Sequence, residues 1–344
     1  MNELVNVPNM GSISTDSGFK LLKQNADGMF KSGENGVVSV CTTGDEKVEF
    51  ISFADRSLAY VKSEMNYPAY YPIHPTKLER PVKAVLMDLD GTTIRSEKFW
   101  IWIIEKTIQT LLDDDSFKFE EADLPFVSGH SVSEHLQYCI GKYSPESSLE
   151  EARKYYFRHT YFEMNEIMEG RGKPNAFTPA PGIKEFLLKL KAMGVKIGLV
   201  TSGLHEKAWP EILDGFKTLG LGAPENFYDS IITAGFPLRK GGPGTLGELS
   251  PKPHPWLYAE VARVGLGLEF ADRNSIVGIE DSGAGICSIR LAGYPAIGIA
   301  GGNIISSGTK ELCDYYCEDF EEVYEVIADT GTAHENDGPF NFRT

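Results

Sequence analysis

The stretch "AVLMDLDGTTIRSEKFW", residues Ala84 to Trp100, carries the oddity around which the rest of the chain is organised. Apolar residues run straight into Asp88, and Asp90 follows two positions later, with Gly91, Thr92 and Thr93 behind it. Val82 to Met87, with Pro81 in front, has the pattern of a strand covered on both faces, as in a parallel sheet. In such sheets ligands bind beyond the carboxyl ends of the strands. Leu89 points the opposite way, so Asp88 and Asp90 face one crevice. Read alone, the tetrad is equally a strand followed by an Asp-Gly turn. Placing acids at the end of a buried strand is nonetheless costly unless something compensates them.

The chain has 344 residues, enough for a large core and more than one domain. Its hydrophobic fraction of 42% is that of a soluble globular protein. A formal net charge of −16 argues against a nucleic-acid backbone or an anionic membrane surface as the main partner. The start, MNELVNVPNMGS, lacks the basic and apolar regions of a signal peptide, and no run reaches membrane-spanning length. The five cysteines form no framework, and Cys313 and Cys317 have no second ligand pair to make a zinc site. Reduced thiols in a cytoplasmic protein are the expectation.

Residues 1–80 differ from the rest. Turn signals punctuate short apolar runs, "VVSVCTTGDEKVEFISF" (Val37–Phe53) reads as a β-hairpin, and "YPAYYPIHP" (Tyr67–Pro75) reads as a stiff linker laid over the core surface. Residues 81–96 and 181–330 carry strands alternating with helices, the pattern of a doubly wound α/β fold with a parallel sheet. Between them, residues 97–180 hold helical spacing only, as in Phe99, Trp100, Ile103, Ile104, Ile108 and Leu111, and so form an all-helical insertion. Residues 331–344 are polar and expected to be loose.

Each core strand ends in polar residues. Val195–Val200 is followed by Thr201-Ser202-Gly203, which offers backbone N–H groups to a phosphate or, equally, caps a helix. Lys252 lies between prolines in "SPKPHP", either held against the site or as a solvated charge. Ser275–Ile279 runs into Glu280 and Asp281, repeating the oddity of Asp88 and Asp90. If the strand ends share one crevice, four carboxylates, a lysine and a hydroxyl meet there. Four acids repel one another unless a cation lies among them. Oxygen donors without His or Cys suit Mg2+.

The ordered motifs DLDGT, VTSG, PKPHP and GIEDSGAGI resemble those of the haloacid dehalogenase-like (HAD) superfamily. The phosphatase and β-phosphoglucomutase-like branch is the most similar, and its helical cap is inserted where residues 97–180 stand. The resemblance runs from Lys83 to Ile327 and implies a Rossmann-like core. It implies that Asp88 is a nucleophile forming an aspartyl-phosphate, and that Asp90 is the acid/base and a metal ligand through its carbonyl. By the same resemblance, Thr201, Ser202 and Gly203 would bind phosphate, Lys252 would neutralise the moving phosphoryl group, and Glu280 and Asp281 would complete the Mg2+ site. The implied function is Mg2+-dependent hydrolysis of a small phosphorylated metabolite. A sugar phosphomutase is the alternative on the same fold, and a non-catalytic phospholigand-binding or assembly protein is the alternative of another class.

Three further positions are candidates for substrate contact. Arg95 stands where relatives carry an Asp, and is otherwise a hinge or surface arginine. His130, in "FVSGHSVSEHL" (Phe126–Leu136), lies in what resembles the cap loop over the site, or simply precedes a helix capped by Ser131. His205 and Leu204 replace polar residues of the mutase pattern, which favours hydrolysis. The glycine-rich run Leu238–Ser250 is read as a flexible loop, since it lacks the setting of a nucleotide-binding loop.

Overall fold

A computed structural model describes residues 4–62, 68–127, 132–235 and 250–329. Among these, two compact units form: a larger one within 1–93, 181–205 and 225–344, and a smaller one within 94–180 and 206–224. His130, most of the glycine-rich run and the C-terminal tail lie outside the described residues.

The larger unit begins with β1 (Leu4–Val7) and β2 (Gly11–Ser14), an antiparallel ribbon. Next come β3 (Lys20–Leu22), β4 (Ser39–Thr42), β5 (Val48–Ser52), β6 (Ser57–Val61) and β7 (Ala69–Pro72), an antiparallel sheet in sequential order. The hairpin expected over Val37–Phe53 is the β4–β5 pair. The segment expected to be a linker is instead in part the edge strand β7, paired with β6. An edge strand has one free side, so Pro72 costs no ladder bond there. Phe19, Phe50, Ala59 and Tyr71 share one buried cluster with Leu86, Val200 and Ile276 of the core.

The chain then runs through β8 (Ala84–Asp88) into the smaller unit. There β9 (Ile94–Arg95) pairs antiparallel with β10 (Thr178–Pro179), a two-residue ribbon too short to announce itself in an otherwise helical insertion. The helix Glu97–Leu112 buries Phe99, Ile103, Ile104 and Ile108, and Phe99 packs on Phe177 with ring centres 4.7 Å apart. The helix Leu149–Met168 is capped by Ser148, whose hydroxyl accepts from the Glu151 N–H at 3.1 Å. Residues 206–224, whose position in the strand–helix alternation suggested the core, group with this unit, where Gly215 leaves room for Ile94.

The central sheet of the larger unit adds β11 (Lys196–Leu204), β12 (Ser230–Gly235), β13 (Ile276–Glu280), β14 (Ala296–Ile299) and β15 (Tyr315–Cys317). The order is β12-β11-β8-β13-β14-β15, with every pairing parallel. This is the doubly wound α/β architecture. The chain winds outward from β8 through β11 to β12, then returns to the other side of β8 for β13. The order reverses between β8 and β13, the place where such sheets open a ligand crevice. Asp88 and Glu280 end those two strands.

Candidate active site

Asp88 is the last residue of β8 and 4% exposed, because Ala84 to Met87 before it are buried on both faces. Its main-chain carbonyl accepts the Thr93 hydroxyl at 2.5 Å, which closes the following turn back onto the strand. Gly91 makes that turn in the left-handed region, at φ +86°. Asp90 is exposed, and its carboxylate accepts the Thr201 hydroxyl at 3.2 Å.

Glu280 and Asp281 stand at the end of β13, 0% and 8% exposed. Helix Gly283–Leu291 begins behind them, capped by Ser282. Carboxylate oxygens of Asp88, Glu280 and Asp281 all lie within 4.8 Å of one another. Lys252 joins them with a side chain only 8% exposed, bonded to Asp88 and, at 2.5 Å, to Glu280. Thr92 donates to Asp281 at 3.2 Å.

Glu280 is saturated. One oxygen accepts from Lys252 and from Tyr258 at 2.9 Å; the other accepts from the Ser282 hydroxyl at 2.9 Å and N–H at 3.2 Å. The carboxylate therefore serves to hold Lys252. Asp281, which accepts from Thr92 at 3.2 Å and from its own backbone N–H, keeps lone pairs for another partner.

The expected phosphate turn takes a different local form. Strand β11 continues through Thr201, Ser202 and Gly203 to Leu204, with a register shift against β12 between Thr201 and Leu204, so these residues do not cap the following helix. The Gly203 N–H donates to the Thr201 hydroxyl at 2.9 Å, and the Ser202 hydroxyl accepts the Lys252 N–H at 3.0 Å. Ser202 thus ties the β11 turn to the lysine. His205 opens the next helix. Arg95 is an exposed residue of β9 in the smaller unit.

Electrostatics report a site short of positive charge. Burial, then Glu280 beside it, pushes the Asp88 carboxyl well above the usual carboxylate range despite Lys252. Burial and Glu280 raise Asp281 to about 7. Burial works against the Lys252 ammonium, but Asp88 and Glu280 outweigh it and raise it overall. One lysine faces three clustered acids, so a hard divalent cation bound by oxygen donors fits this set.

Several of these contacts carry no sequence signal of their own. Tyr258, fully buried six residues after Lys252, reads as an ordinary apolar helix position. Thr92, Thr93 and Ser282 were visible only as the polar residues of two turns.

The family model for haloacid dehalogenase-like hydrolases matches residues 82–293. That is more than half of the chain, and the chain belongs to this family. A glyceraldehyde 3-phosphate phosphatase of Methanocaldococcus jannaschii is 26% identical over 163 residues, covering 44% of this chain and 62% of the relative. A protein of the same name from Methanopyrus kandleri is 25% identical over 192 residues, 53% of this chain and 70% of that protein. The first match thus spans less than two thirds of the relative's length. Among solved structures, a predicted phosphoglycolate phosphatase from Haemophilus somnus aligns with a TM-score of 0.54 at 17% identity, over 72% of this chain and 98% of that one. At that identity the likeness is one of fold. No helix among the described residues is long and apolar enough to cross a membrane.

Proposed function

We propose that the chain hydrolyses phosphate monoesters of small metabolites through a phosphorylated Asp88. The carrying observation is the buried Asp88 bonded to Lys252 at the switch point of the sheet, with exposed Asp90 two residues away. An oxygen of Asp88 attacks phosphorus as the ester P–O bond breaks. Asp90 gives its proton to the departing alkoxide. Asp90, now a carboxylate, takes a proton from a water that attacks the aspartyl-phosphate. The P–O bond to Asp88 breaks, releasing inorganic phosphate and restoring both carboxyl groups.

Attack requires Asp88 ionised, against the pull of burial and Glu280. Lys252 supplies one positive charge, held in place by Glu280 and Ser202. Asp88 and Asp281, with the Asp90 main-chain carbonyl, would hold Mg2+, which would neutralise the acids and the phosphoryl oxygens. Thr201 and the amides of its turn would receive those oxygens.

The test follows free phosphate and isomer formation with Mg2+ over a panel that includes glyceraldehyde 3-phosphate, phosphoglycolate and hexose phosphates. Stoichiometric phosphate without isomerisation is expected. Isomerisation that outpaces phosphate release would make the chain a mutase. Phosphate-ester binding without any turnover would make it a binding protein.

A further inference from the structure

The N-terminal sheet reaches the loop that carries Lys252. Tyr71, in the edge strand β7, is only 9% exposed, and its hydroxyl lies 2.7 Å from Nδ1 of His254. His254 stands two residues after Lys252 in the "SPKPHP" turn and is 2% exposed. The rings of Tyr71 and His254 meet edge to face at 5.8 Å, and the Trp256 ring also packs edge to face on Tyr71 at 6.1 Å.

His254 is the anchor of its turn. Its N–H donates to the Pro251 carbonyl at 3.1 Å, and its own carbonyl accepts the Ser288 hydroxyl at 2.6 Å. Ser288 belongs to the helix that begins behind Asp281. Nε2 of the buried imidazole has no hydrogen-bond partner among the described residues, so Tyr71 makes the ring's one side-chain hydrogen bond. Without the Tyr71 hydroxyl, both ring nitrogens would be buried and unsatisfied, an arrangement costly enough to shift the ring and the turn with it.

We propose that Tyr71 is a positioning residue for Lys252: through His254 it fixes the turn from which the lysine reaches Asp88 and Glu280. The N-terminal sheet, which lies outside the family match, would in this way support the site without contributing a reacting group. The inference rests on the phosphatase reading for its kinetic consequence.

The experiment compares Tyr71→Phe with Tyr70→Phe. Tyr70 lies in the same strand, but its hydroxyl bonds Asn25 and Asp27, not the Lys252 turn. The first readout is hydrogen exchange of the peptide 250–258 in the full chain. Tyr71→Phe should speed exchange there, at the Lys252 and His254 amides, while the rest of the larger unit keeps its wild-type rates; Tyr70→Phe should leave that peptide unchanged. The second readout is turnover of p-nitrophenyl phosphate with Mg2+, with kcat of Tyr71→Phe lowered about tenfold and KM little changed, the size usual for a group that orients another. Adding His254→Asn to Tyr71→Phe should cost little more, because the two act as a unit. Wild-type exchange at 250–258 in Tyr71→Phe, equal kcat for both Phe variants, or additive losses in the double variant would each overturn the proposal. A wild-type chain that turns over no ester would instead count against the phosphatase reading, and the exchange result would then decide the role of Tyr71 by itself.

Discussion

A Cβ on Gly91 would fall inside the carboxylate of Asp281. The turn after Asp88 and the end of β13 are that close, so glycine is required for space as well as for its φ of +86°. Gly91→Ala should displace Asp281 and lower Mg2+-dependent turnover by ~100-fold or more, since small misplacements at reacting centres carry losses of that order. Calorimetric titration with Mg2+ should show weakened binding in a chain that still melts cooperatively. Unchanged Mg2+ affinity would count against the placement of Asp281 at the metal.

The raised Asp281 gives the metal-free protein an unusual pH dependence. Its folded value is about 7, raised chiefly by burial and then by Glu280, whereas the unfolded value is about 3.9. Between these values the folded state binds the extra proton, so stability falls as pH rises through the window. In EDTA, wild-type Tm should therefore drop between about pH 5 and about pH 7 more steeply than that of Asp281→Asn. Mg2+ should restore the wild-type Tm near neutrality, where it binds the ionised form. Parallel profiles for the two proteins would contradict the shift.

Asp88→Asn keeps the shape of the nucleophile and removes its charge. Turnover should fall by ~1,000-fold or more, as for other residues that act as a unit. Its Tm in EDTA should equal or exceed that of the wild type, because a buried carboxyl crowded by Glu280 and Asp281 is replaced by a neutral amide. Residual activity near the wild-type level would remove Asp88 from the chemistry.

The N-terminal sheet should be inseparable from the core. Phe50 is fully buried in the cluster that also contains Leu86 and Val200. Phe50→Ala should cost ~3–5 kcal/mol and lower the Tm of the larger unit as a whole. A chain beginning at residue 81 should lose its cooperative melt. A truncated chain that melts and turns over like the full one would show the sheet to be an appendage.

The central sheet was legible because its strands are buried on both faces, and such strands read as unbroken apolar runs. Asp88, Lys252, Glu280 and Asp281 were legible because each breaks such a run, or sits between prolines, with a charge. The edge strand β7 was not, because the three prolines in Tyr67–Pro75 resemble linker chemistry and the strand shows no strict alternation of burial. The nine-residue length of β11 was hidden by Thr201-Ser202-Gly203, which looks like a helix start when the register shift against β12 is unknown. The saturation of Glu280 by Lys252, Tyr258 and Ser282 depends on two separate stretches of chain meeting, 252–258 and 280–282, which spacing along one stretch does not encode.

Asp88 and Asp90 are two residues apart, yet one is dry and the other faces water. On the proposed roles, the group that must act as a nucleophile is shielded from hydration, and the group that must exchange protons sits at the solvent boundary. Protons lost or gained by Asp90 can be traded with the bulk directly, so turnover needs no relay of hydrogen-bonded groups through the protein interior. Buffer species able to reach Asp90 would then share in that exchange, whereas Asp88 would be indifferent to them.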